Sequence, residues 1–170
     1  YSAEIHQSNY ELIIENGLNT PEDTAVDWVA GNLYVTDSGF NQIIVCKIGR
    51  TICSIIIKEG IDKVKSIELD PSNAIMYWSE FGLRPGIYQA WMDGTNRKVF
   101  INKDIVWPTS ITLDDTSRRL YWTDSKLNRI EYYEFDSKDR SVLYEGNLIH
   151  PLSMTIFEDY VFWFDQQHYS

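Results

Sequence analysis

The chain is a succession of short apolar runs, rich in β-branched and aromatic residues and broken at near-regular intervals by Gly, Asp, Asn, Ser and Pro. No stretch sustains apolar residues at helical spacing, so the pattern predicts strands and almost no helix. One phrase keeps returning: Tyr34-Val35-Thr36-Asp37, Tyr77-Trp78-Ser79-Glu80, Tyr121-Trp122-Thr123-Asp124 and Phe162-Trp163-Phe164-Asp165. These begin 43, 44 and 41 residues apart, a period that suits a four-stranded propeller blade.

More than the phrase recurs. Asp27, Asp70 and Asp114 each lie seven residues before the tyrosine, at the end of an apolar run that leads into a polar turn. After the phrase come a second turn, an alternating segment such as Arg129-Ile130-Glu131-Tyr132-Tyr133, a tight polar turn and a last apolar run. Four runs with turn residues between them make a four-stranded antiparallel unit. Such a sheet is apolar on both faces, so it folds only when neighbours cover it, and radial packing supplies them. The expected blades are 24–59, 65–102 and 109–146, with half blades over 3–15 and 153–165. The fold class is therefore all-β. With 170 residues holding about four blades, the chain reads as part of a larger ring and of a larger protein.

Composition sharpens this picture modestly. Apolar residues make up 44% and aromatics 14%, which predicts a packed core rather than disorder. The net charge of −10 argues against nucleic acid and anionic membrane as partners and mildly favours basic ligands, although a solvated acidic surface explains it equally well. No apolar run is long enough to span a membrane, and no basic-then-apolar leader is visible. No Asn-x-Ser/Thr acceptor occurs.

Cys46 and Cys53 flank a hairpin turn expected at Gly49-Arg50. A two-residue turn would set them opposite each other as a hydrogen-bonded pair, a poor geometry for a bridge, so the spacing leaves disulfide and free thiols both open.

At Tyr121-Trp122-Thr123-Asp124, with Leu113-Asp114 before it and Met92-Asp93-Gly94-Thr95-Asn96-Arg97 in the preceding unit, the chain resembles the six-bladed YWTD propeller of the low-density-lipoprotein receptor family. Ala25-Val26-Asp27-Trp28, Trp107-Pro108-Thr109-Ser110 and His150-Pro151-Leu152-Ser153 extend the resemblance over the whole chain. It implies an extracellular propeller flanked by epidermal-growth-factor-like and cysteine-rich modules in a single-pass endocytic receptor, working at the plasma membrane and in endosomes. The implied partners are protein ligands, some of them lipoprotein-associated. The resemblance implies no cofactor. A basement-membrane or signalling co-receptor propeller that binds a secreted protein is the alternative.

In a four-stranded blade, the turn after the repeated phrase and the link into the next blade share one face. That rim is expected to carry Phe81 to Gly86, Ser125 to Asn128 and Gln166-Gln167, with Thr20, Lys63, Trp107 and His150 at equivalent positions. Trp107, beside a proline, reads either as a blade-packing residue or as an exposed anchor for a partner. In the resembled receptors an acid-state contact uses this rim, and the positions matching its aromatic and histidine residues are Phe81, Trp107, Asn128 and His150. Asn128 departs from histidine and cannot titrate. His150 remains the pH-sensing candidate, since histidine ordinarily gains charge between neutral and endosomal pH; a loop histidine bonded to backbone is the plain alternative. His6 and His168 carry no signal.

Tyr34, Asp37, Tyr77, Trp78, Glu80, Tyr121, Trp122, Asp124, Trp163 and Asp165 recur once per unit, as scaffold residues do. Their carboxylates are expected to meet turn amides, or arginines such as Arg97 and Arg140. A propeller hydrolase would need a metal or acid–base cluster, and no HxxEH or GxSxG motif is present, so no metal site is expected and a hydrolase is a remote reading.

Overall fold

A computed structural model describes residues 2–3, 10–50 and 52–166. In chain order the strands are β1 (Ser2–Ala3), β2 (Tyr10–Glu11), β3 (Pro21–Asp27), β4 (Asn32–Asp37), β5 (Gln42–Lys47), β6 (Cys53–Ile57), β7 (Val64–Asp70) and β8 (Ile75–Glu80). They continue as β9 (Gly86–Trp91), β10 (Lys98–Ile101), β11 (Pro108–Asp114), β12 (Arg119–Asp124), β13 (Arg129–Glu134), β14 (Asp139–Glu145), β15 (Pro151–Phe157) and β16 (Tyr160–Asp165). Strands β3–β6, β7–β10 and β11–β14 each form a four-stranded antiparallel meander, and β15–β16 form a two-stranded sheet.

Each meander starts a little before the expected blade: at Pro21, Val64 and Pro108 rather than at 24, 65 and 109, and at Pro151 rather than at 153. The reason is a bulge. Pairing slips between Pro21 and Asp23, Val64 and Ile67, Pro108 and Ser110, and Pro151 and Ser153, so the first strand carries an unpaired residue that an alternation pattern does not count. Proline, with no N–H to donate, tolerates that opening position. Of the expected 3–15 half blade, residues 4–9 lie outside the description, while β1 and β2 pair antiparallel through Ala3 and Tyr10.

The repeated tryptophans occupy one register place: Trp78 faces Ile67, Trp122 faces Ile111 and Trp163 faces Met154 on the neighbouring strand. Trp78 and Trp122 are fully buried, whereas Trp163 is 41% exposed because β15–β16 has no third or fourth strand among the described residues. Side chains from adjacent sheets interdigitate. Tyr34 and Ile43 pack with Ile67, Met76 and Trp78, and Tyr77 and Ile87 pack with Ile111, Leu120 and Trp122.

Hydrogen bonds tie the inner strands together at equivalent positions. Asp23 accepts the Ile67 N–H (3.0 Å), Ser66 Oγ accepts the Ile111 N–H (3.1 Å) and Ser110 Oγ accepts the Met154 N–H (3.2 Å). The bulged first strand of each unit thus aims a short acceptor at the next sheet, satisfying amides that would otherwise be buried unpaired.

Cys46 and Cys53 are joined by a disulfide, with Cα atoms 4.0 Å apart. The expected hydrogen-bonded pairing of these two is corrected by the turn. The Lys47 N–H donates to the Ile52 carbonyl (3.0 Å), so the ladder closes one pair further from the tip than a two-residue turn allows. Cys46 and Cys53, directly opposite in register, therefore form the non-hydrogen-bonded pair, where side chains approach most closely.

Candidate functional site

The repeated carboxylates build one face of the molecule by holding two loops at once. Asp37 accepts the N–H groups of Asn19 (2.7 Å) and Thr20 (2.9 Å) from the loop before β3, and of Gly39 (2.9 Å) and Phe40 (3.1 Å) from its own turn. Asp124 does the same for Val106 and Trp107, and for Lys126 and Leu127. Asp165 accepts from Ile149 (2.9 Å) and His150 (2.6 Å). Burial works against the charge of Asp37, but its four amide donors outweigh it and hold the carboxyl below the usual range.

A second set of contacts closes each loop pair. The amides of Ser38, Phe81, Ser125 and Gln166 donate to the carbonyls of Thr20, Lys63, Trp107 and His150, at 3.0, 3.2, 3.0 and 3.1 Å. These four residues therefore occupy one structural position, sheet after sheet.

Glu80 departs from its counterparts, and the departure has a cause. Its longer side chain reaches the Asp62 N–H (2.9 Å), the Trp78 Nε1 (2.8 Å) and Arg97 (3.0 Å), whose guanidinium lies over Trp78. Burial nevertheless dominates and raises its pKa. Asp124 is one methylene shorter, and the buried Trp122 Nε1 finds no partner among the described residues. Arg140 still lies over Trp122, but it pairs with Glu131 (2.9 Å) rather than with the repeat carboxylate expected for it. Glu131 stands opposite Trp122, the place that Tyr88 takes opposite Trp78.

On this scaffold the five rim candidates fall into two groups one sheet apart. Lys63, held in a left-handed conformation (φ 51°), brings its ammonium 5.7 Å from the centre of the Phe81 ring. Trp107 is 42% exposed and meets His150 edge to face at 6.4 Å, with the Lys126 ammonium 5.8 Å from the indole. Asn128, also left-handed (φ 53°), has the carbonyls of Ser125 and Ile149 3.0 and 3.1 Å from one end of its side-chain amide; two acceptors there assign the nitrogen to that end, where it links the turn to the His150 loop. Gln167, His6 and His168 lie outside the described residues.

The sequence reading placed Leu83 and Leu127 within rim ranges but did not single out their exposure, nor that of Phe40. Phe40, Leu83 and Leu127, each three residues after a repeat carboxylate, are exposed on the turns, Leu83 at 92%. Their common offset was a signal available in the repeats. Lys63, Arg84 and Lys126 stand on the rim loops, as do Glu59, Asp62 and Asp104, while the repeat carboxylates Asp37 and Asp124 are turned into backbone amides. Among the described residues no three His, Cys, Asp or Glu side chains cluster closely enough to hold a metal ion.

Radially stacked four-stranded sheets whose recurring carboxylates fix a rim of loops define a YWTD-type β-propeller. Residues 75–114 match the model of the low-density lipoprotein receptor repeat class B. Over 99% of its length the chain is 33% identical to the human low-density lipoprotein receptor-related protein 5-like protein, covering 67% of that relative. It is 37% identical to the vitellogenin receptor of Solenopsis invicta and 34% identical to the vitellogenin receptor Yl of Drosophila melanogaster, spanning only 9% and 8% of their lengths. A chain in the crystal structure of a nidogen/laminin complex superposes with a TM-score of 0.88 at 29% identity, over 96% of this chain and 62% of that one. Virginiamycin B lyase from Staphylococcus aureus (TM-score 0.67, 18% identity, 87% of this chain and 50% of that one) shares the fold alone. The chain belongs to the low-density-lipoprotein receptor family.

Proposed function

We propose that this chain is the extracellular propeller module of an endocytic receptor and binds a protein ligand through the rim formed by Lys63, Phe81, Trp107, Asn128 and His150, without catalysing a reaction. The supporting observation is Trp107. Its backbone N–H is held by Asp124 and its carbonyl by Ser125, yet the residue remains 42% exposed, its indole beside His150 and Lys126. An aromatic side chain fixed before binding loses little entropy on contact, which is what an interface anchor requires. The Lys126 ammonium beside it fits a carboxylate-rich partner, and His150, in edge contact with the indole, is the rim residue on which a pH dependence of that contact would rest. Flanking epidermal-growth-factor-like and cysteine-rich modules and a six-bladed ring complete this reading of the parent receptor.

In the parent ectodomain, Trp107→Ala should weaken partner binding by about 2 kcal/mol in calorimetric titration while leaving thermal unfolding unchanged. Loss of the unfolding transition would instead make Trp107 a packing residue. His150→Gln should flatten the change in affinity between neutral and endosomal pH, and an unaltered profile removes it as the sensor.

A further inference from the structure

Away from Trp107, a groove of about 540 Å³ runs along the outer edge of the β7–β10 sheet, where the link into β7 meets β9 and β10. Its walls include Arg84, Arg97 and Lys98, with Pro85, Tyr88 and Val99 between them. Arg97 is fixed in place. It donates to the Glu59 carbonyl (3.0 Å) and to Glu80 (3.0 Å), and its guanidinium lies over the Trp78 and Tyr88 rings at 5.3 and 5.2 Å. The Tyr88 hydroxyl donates to the Arg84 carbonyl (2.8 Å), anchoring the backbone from which the Arg84 side chain projects.

Arg84 and Lys98 are exposed, and among the described residues neither takes part in an ion pair. Lys58 and Lys103, also exposed, stand close in sequence to its lining residues Gly60 and Asn102. Five of the 15 lysines and arginines of a chain with net charge −10 thus belong to this edge or its flanks. The exposed acids among them are Glu59, whose carbonyl Arg97 holds, and Asp104, whose carbonyl Arg129 and Arg140 hold.

We propose that this groove binds a sulfated polysaccharide, with Arg84 and Lys98 receiving sulfate esters and the sugar ring lying on Pro85 and Val99. Guanidinium groups suit tetrahedral oxyanions because their donors form a planar fork. Cations spread along a groove, with apolar side chains between them, match the alternation of charged ester and sugar C–H face in such a polymer. Arg84 and Pro85 belong to the same rim turn as Phe81, but Lys63, Phe81, Trp107, Asn128 and His150 are not among the groove's lining residues, so the two assignments are tested by different variants.

The test is titration of the parent ectodomain with a heparin-derived hexasaccharide at two salt concentrations. Arg84→Gln combined with Lys98→Gln should weaken binding about tenfold, the loss shrinking at high salt. Lys138→Gln, an exposed cation on the turn between β13 and β14, should change nothing. Arg97 is left intact because its guanidinium is part of the fold. Three results would overturn the proposal: parental affinity in the double variant, an equal loss in Lys138→Gln, or equally tight binding of a single-stranded oligonucleotide of the same charge.

Discussion

Replacing Glu68 by glutamine should make the protein more stable at pH 8 and leave it nearly unchanged at pH 5. Glu68 lies on β7, on the wall of the polar cleft of about 470 Å³ that β3, β7, β11 and β15 line. Burial pushes its carboxyl up from 4.5 to about 7; the Leu69 and Leu113 amides oppose the rise, and the charges of Asp23 and Asp115 add to it. Between those two values the folded state holds a proton that the unfolded chain has already released. Stability from this group is therefore fully present below about 4.5 and is lost as pH rises through about 7. At about 1.4 kcal/mol per pH unit, the loss amounts to about 3 to 4 kcal/mol. Glutamine keeps an oxygen to accept the amides but carries no charge. Urea unfolding followed by tryptophan fluorescence, on the unsubstituted protein and Glu68→Gln at both pH values, isolates this group because titrations not coupled to Glu68 cancel in the difference. A gap between the two proteins that is the same at pH 5 and pH 8 would refute the reasoning.

Two further perturbations separate the roles of other groups. Glu131→Gln removes the buried carboxylate shared by Arg129 and Arg140, each within 3.0 Å, and should cost about 3 kcal/mol in urea unfolding; an unchanged midpoint would mean that water already serves both arginines. Reducing the Cys46–Cys53 bridge, which closes a loop between residues seven apart, should cost about 2 kcal/mol, read from the urea midpoint with and without reductant.

The period of the Tyr/Trp phrase was enough to predict the three meanders, because each unit repeats both its strand pattern and its turn residues. The equivalence of Thr20, Lys63, Trp107 and His150 was also legible from spacing, and the structure gives all four the same carbonyl contact. The cysteine pair was less so. Whether Cys46 and Cys53 fall on the wide or the narrow rungs of the ladder depends on which residues close the turn, and the hydrogen bond from Lys47 to Ile52 decides that.

What the sequence determined by itself is therefore the order of strands, the place of each tryptophan in its sheet and the face on which the loops gather, all set by local periodicity. What only the tertiary structure decided is how each unit settles its buried charge. Arg97 and Arg140 occupy matching places over Trp78 and Trp122, yet one finds its carboxylate at Glu80 and the other at Glu131. One methylene of reach, together with the residue opposite each tryptophan, separates these two solutions. Reach across a packed sheet is a distance in space that no spacing along the chain records.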